Sequence, residues 1–166
     1  MSEPNYLFKE NQYFRQWWLW IIFLMVFSVF LIGIYQQIIK GVPFGDKPLS
    51  DSGLILATLL YALVMLVFYR MGLTTLIDEK GIYIRFFPFH LKYKFFEWNE
   101  IEKAYIRTYQ PIREYGGWGL KGGSMGLAYN VSGDKGLQLE LKNGKKILIG
   151  TQQPEVLQKI LLQLNK

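Results

Sequence analysis

WWLWIIFLMVFSVFLIGIYQQII, from Trp17 to Ile39, is the stretch on which the reading of this chain turns: 23 residues pass without one charged side chain. At about 1.5 Å of rise per residue a helix of that length covers about 35 Å, enough to cross the hydrocarbon core of a bilayer. A buried helix of a soluble protein usually keeps a polar stripe, and this run has none. Trp17, Trp18 and Trp20 at one end and Tyr35 near the other suit an aromatic belt, where amphipathic rings sit at headgroup depth. The run is longer than the apolar core of a cleavable signal and ends in IGIYQQIIK instead of small residues, so it reads as a retained anchor.

Working outward, a second uncharged run, Ser52 to Tyr69 (SGLILATLLYALVMLVFY), has 18 residues and spans about 27 Å as a helix, near the lower limit for crossing. Between the runs, KGVPFGDKPLSD carries the Gly, Pro and Asp residues of a turn. The expectation is a membrane-spanning α-helical hairpin: helix 1 over 17–39, a loop over 40–51 and helix 2 over 52–71. Lys9, Arg15, Arg70, Lys80 and Arg85 flank the hairpin on the side of both termini, against Lys40 and Lys47 in the loop, which predicts cytoplasmic termini. Residues 1–16, MSEPNYLFKENQYFRQ, place Tyr6, Leu7, Tyr13 and Phe14 at helical spacing leading into Trp17. That pattern reads as an interfacial helix with Lys9 and Arg15 toward lipid phosphates, or alternatively as a frayed tail.

From residue 72 to 166 the pattern changes to short β-type runs. Seven strands are expected, at Leu73–Ile77, Ile82–Phe87, Lys92–Glu97, Ile101–Tyr109, Leu127–Val131, Leu137–Leu141 and Lys146–Gly150. Asp78–Gly81, Ser132–Gly136 and Asn143-Gly144 supply the turns. Leu137, Leu139 and Leu141 alternate with polar residues, as in a half-buried antiparallel sheet. QQPEVLQKILLQLNK then gives a C-terminal helix, with Pro154 in its first turn and Val156, Leu157, Ile160, Leu161 and Leu164 on one stripe. The fold class expected is therefore a membrane hairpin plus a mostly-β, α+β soluble domain, a bent seven-stranded antiparallel sheet closed by a helix.

Seven strands and a closing helix in 72–166, with WNEI (Trp98 to Ile101) between the third and fourth, resemble the pleckstrin-homology superfold in its bacterial form. Two spans followed by REYGGWGLKGG (Arg113 to Gly123) and YNVSGDKGLQLELKNGKKILIGTQQPEVL (Tyr129 to Leu157) are similar to a family of uncharacterised bacterial membrane proteins carrying such a domain. The resemblance implies the bacterial inner membrane as the location, with the domain cytoplasmic, and it implies no activity and no functional residue. Members of the superfold that bind phosphoinositides use converging cations in the first hairpin. Asp78-Glu79-Lys80-Gly81 departs from that pattern, because two carboxylates beside one lysine repel a headgroup.

Motifs for chemistry are few. Gly117-Trp118-Gly119-Leu120-Lys121-Gly122 matches GxGxxG, but Gly123, Gly126, Gly133 and Gly136 follow, so no helix can open there to hold a pyrophosphate. His90 is the only histidine and there is no cysteine, which removes a histidine-rich or zinc site and a Ser-His-acid triad with an evident partner. Glu97, Glu100 and Glu102 read as a solvated edge. The expectation is a non-enzyme without a cofactor, small-molecule substrate or nucleic-acid partner. It is a membrane-anchored interaction or scaffold module, expected to serve as an accessory part of a larger membrane complex.

The candidate partner-binding residues are Tyr115, Trp118 and Lys121 in the glycine-rich stretch, with Trp118 either anchoring a partner or folding back over the core. The alternative is a sensor of anionic phospholipid through Lys9, Arg15, Arg70, Arg85, Lys92 and Lys94. The domain from Gly72 on carries 14 basic against 9 acidic residues, a net of +5, although an ordinary solvated basic face has the same composition. Gly33, Gly53 and Ala57 would allow close approach of neighbouring helices.

Overall fold

A computed structural model describes residues 6–123 and 125–166. The chain divides into two units: Arg15–Arg70, and a second built from the described residues up to and including Phe14 together with Met71–Lys166.

The first unit is a helical hairpin of α1 (Trp17–Ile34), continued by a π-helical turn at Tyr35–Ile39, and α2 (Asp51–Arg70). Both helices are long and apolar enough to cross a membrane, and most of their side chains are not buried within the chain. An aromatic seam joins them. Phe23 meets the edges of Tyr61 and Phe68, Trp20 meets Tyr69, and the Tyr61 hydroxyl donates to the carbonyl of Phe23 at 3.2 Å. Gln37 ties off the loop, its Nε2 donating to the Leu49 carbonyl and to Asp51 Oδ1, both at 2.8 Å, while its Oε1 accepts from the Phe44 N–H. Gly33 is occupied within this unit: a Cβ there would stand 2.9 Å from the Phe44 ring, so its small size serves the loop rather than an incoming helix. Likewise Gly53 backs onto Ser50 and Leu49.

The second unit holds two sheets and a closing helix. One sheet runs β1 (Phe8–Tyr13), β2 (Gly72–Ile77), β3 (Gly81–Phe87) and β4 (Lys94–Glu97) in that order, all antiparallel. The other contains β5 (Ile101–Thr108), β6 (Gly119–Gly123), β7 (Gly126–Asn130), β8 (Lys135–Leu141) and β9 (Lys146–Gly150), ordered β5-β8-β9-β7-β6. A 3₁₀ turn at Trp98–Glu100 separates the sheets, with the Trp98 indole donating to the Asp78 carbonyl at 3.0 Å. α3 (Pro111–Tyr115) precedes β6, and α4 (Pro154–Gln163) packs on β5 and β8 through buried Leu157, Ile160 and Leu161. The core includes Ile77, Ile82, Ile84, Phe86, Leu137, Leu139 and Leu148, all fully buried.

Three expectations are corrected. The single seven-stranded sheet is instead a four-stranded and a five-stranded sheet. It is also not wholly antiparallel, since β7 pairs in parallel with β9, Leu127 opposite Ile147. Finally, the N-terminal segment read as an interfacial helix is strand β1. Its alternation is Phe8, Glu10 and Gln12 inward and Lys9, Asn11 and Tyr13 outward, and two of the three inward residues are polar, so hydrophobicity alone hides it. β1 is thus an integral edge of the sheet-rich domain. The helical hairpin leaves the domain after Phe14 and returns at Met71, adjacent positions joined by a hydrogen bond from the Phe14 N–H to the Met71 carbonyl (3.4 Å).

Candidate functional site

The three residues expected to bind a partner do not form one surface. Tyr115 ends α3 and is only 4% exposed; its hydroxyl accepts from the Arg107 guanidinium at 3.2 Å. Trp118 is half-buried and folds back, its indole N–H donating to the Gly133 carbonyl at 2.8 Å. Lys121 alone stands exposed, at the middle of β6 on the sheet's edge. The GxGxxG stretch therefore forms an edge strand, paired Gly119 to Asn130 through Gly123 to Gly126, and not a phosphate-holding turn.

Between β5, β8 and α3 lies a polar network that sequence reasoning missed. Arg107 Nη2 donates to Glu114 Oε2 at 2.7 Å and Arg107 Nε to Gln138 Oε1 at 2.9 Å, while Glu114 Oε1 accepts from the Gln110 N–H at 2.7 Å. The guanidinium's hydrogen bond holds the Glu114 carboxyl below the usual carboxylate range. Although burial opposes the charge on Arg107, the bond and charge of Glu114 outweigh it and raise the guanidinium further. Burial pushes the Tyr109 phenol up to about 12. Arg107, Glu114 and Gln138 are satisfied by one another and by their neighbours, so their geometry is that of a brace holding α3 against β5 and β8. A second brace joins the domain's distant ends: buried Glu10 accepts from Thr151 Oγ1 and from the Gln152 N–H, both at 2.7 Å, and Gln12 Nε2 donates to the Gly150 carbonyl at 2.7 Å. No spacing rule links residues so far apart in sequence.

The six cations expected to meet lipid fall in different places. Lys9 projects from the outer face of β1. Arg15 lies over the Tyr69 ring, 5.8 Å from its centroid, and Arg70 is exposed at the end of α2. Arg85 stacks 4.8 Å from the centroid of Tyr93, Lys92 is exposed, and Lys94 Nζ donates to the hydroxyl of buried Tyr129 at 3.0 Å. Lys92 lies in the β3–β4 turn, Pro88–Tyr93, and Arg85 and Lys94 flank it on β3 and β4. That turn also bears exposed apolar side chains: Phe89 is 63% and Leu91 76% exposed, with Phe87 just before them at the end of β3. A period-two apolar spacing, Phe87, Phe89, Leu91, was the available signal for it.

His90 sits in the same turn, its ring 5.7 Å from that of Tyr129; burial first and the Lys94 charge second hold its imidazole below the ordinary range. Among the described residues, no group of three or more His, Cys, Asp or Glu is placed to hold a metal ion. Glu97, Glu100 and Glu102 are all exposed. No family model, no curated protein and no solved structure matches this chain.

Proposed function

We propose that this chain is a membrane-anchored, non-enzymatic interaction module, in which α1 and α2 cross a bilayer as a hairpin and hold a protein-binding β domain at one face. The observation that carries this reading is the insertion of the apolar hairpin between two paired strands. Because β1 and β2 share one sheet from Phe8–Ile77 to Tyr13–Gly72, both ends of the hairpin must lie on the same side of any bilayer. An even number of crossings satisfies that condition and a single one does not. Removal of α1 as a leader would also take away β1 with its buried Phe8, Glu10 and Gln12. The outer surface of the hairpin, where Leu56, Leu59, Leu63 and Leu66 are each more than half exposed, suits lipid or neighbouring helices and is costly in water.

The bias of Lys and Arg toward the domain side favours a cytoplasmic domain at the inner membrane of a bacterium. Two packed sheets and a closing helix support a pleckstrin-homology-like architecture enlarged by β1 and β6. The exposed edge of β6, with Lys121 at its centre, is the surface offered to a protein partner, since an edge strand presents unpaired backbone groups.

The chain has no cysteine, so single cysteines report topology cleanly. Asp46→Cys in the hairpin loop and Asn143→Cys in the β8–β9 turn should label from opposite sides of sealed membrane vesicles. Labelling of both from one side sinks the two-crossing reading. For the partner, mild-detergent purification from native membranes should recover a stoichiometric protein that Lys121→Glu releases; recovery unchanged by that substitution would remove β6 from the proposal.

A further inference from the structure

We infer that the β3–β4 turn is a lipid-inserting tip, which enters the headgroup layer of an anionic bilayer with Phe89 and Leu91 while Arg85 and Lys92 meet lipid phosphates. The inference rests on the proposed two-crossing anchor and specifies a second, independent contact of the domain with the same membrane.

Register places the tip. Tyr13, Gly72 and Phe87 lie side by side across β1, β2 and β3, so the turn that follows Phe87 opens at the end of the sheet where the chain passes to and from the helices. α2 ends at Arg70 and β2 begins at Gly72, leaving Met71 as the only residue between them, about 4 Å of chain. The end of the sheet marked by Gly72 is therefore held close to wherever α2 leaves the bilayer. On that end Tyr13 is 44%, Phe87 37%, Phe89 63% and Leu91 76% exposed, a cluster of apolar and aromatic surface that a water-facing turn has no reason to carry.

The turn is held open in this form. The His90 N–H donates to the Phe86 carbonyl at 2.8 Å, and Phe86 itself is fully buried, so Phe89 and Leu91 project from a fixed base. The charges agree: from Lys80 to Phe96 there is no acidic residue, while Arg85, Lys92 and Lys94 all fall there. Lys94 is committed to Tyr129, so the collar of the tip is the exposed Lys92 together with Arg85, which rests on the Tyr93 ring. An apolar point ringed by cations suits the boundary between acyl chains and anionic headgroups. A protein groove would not need the tip to sit beside the helix junction.

The test uses the full chain in nanodiscs, spin-labelled at one cysteine at a time: Leu91→Cys at the tip, Leu59→Cys in mid-α2 and Asn143→Cys in the distant β8–β9 turn. Accessibility to oxygen against a water-soluble nickel chelate reads depth. In discs containing phosphatidylglycerol, positions 59 and 91 should favour oxygen and position 143 nickel. Lys92→Gln should lower the inserted population at position 91 about fivefold, as should Arg85→Gln, and phosphatidylcholine alone should lower it further. A label at 91 as nickel-accessible as one at 143, with 59 in lipid, overturns the tip and leaves the anchor standing. If 59 is itself nickel-accessible, both fall. Insertion at 91 that ignores the glutamine variants and the lipid charge overturns the cationic collar.

Discussion

Glu10 shows how much one side chain holds in this fold. Its carboxylate lies on a strand near the N-terminus, is 4% exposed, and accepts from Thr151 and Gln152 just before α4. Glu10→Ala leaves both donors without that acceptor, and one buried polar group left unmade costs about 1–3 kcal/mol. Urea unfolding of the purified protein should show at least that loss, while Lys9→Ala on the outer face should change stability little. His90 supplies a pH dependence with a definite sign. Its pKa is lowered in the folded domain, so the unfolded chain takes up the proton first as pH falls below about 6.5, and the folded state loses stability from there down to the folded pKa. Thermal unfolding followed across that window should show a fall that His90→Gln flattens; an identical slope in the variant would remove His90 as its source.

At the level of elements, Gly126 sets the start of β7 and the parallel pairing with β9. Its φ is +105°, and a Cβ there would collide with the Lys146 backbone carbonyl. Gly126→Ala should therefore destabilise the domain by about 1–3 kcal/mol, measurable as a lowered unfolding midpoint, whereas the same change at Gly122, where an added Cβ meets nothing, should cost less than 1 kcal/mol. The hairpin, the strands from β2 to β5 and from β7 to β9, and α4 were legible in the sequence because each carries a strong local signal: an uncharged run, an alternation, or an explicit turn such as Asn143-Gly144. β1 and β6 were not. Glu10 and Gln12 face inward because residues distant in sequence, Gly150 to Gln152, bond the Glu10 carboxylate and the Gln12 Nε2, and Gly119-Leu120-Lys121-Gly122-Gly123 has little β propensity of its own until β7 lends it a ladder. The candidate surface divided the same way: the cations were visible as residues, but only the fold separates Lys94, bound to Tyr129, from the free Lys92, and turns Tyr115 inward.

For the whole molecule, the discontinuous domain is the feature with the widest reach. Phe8→Ala, which empties an inward position on β1, should cost about 3–5 kcal/mol and loosen the first sheet, detectable as faster amide exchange in β2. Under the proposed topology the same layout bears on shedding. A protease cutting after Arg15 leaves β2 covalently joined to α2, and one cutting after Arg70 leaves β1 joined to α1 and still zipped to β2 along six residues. Neither single nick frees the domain, so after either cut it should sediment with the membrane until denaturant parts the strands. A protein built this way is ill suited to sending its soluble half elsewhere as a cleaved messenger; whatever it binds, it binds in place.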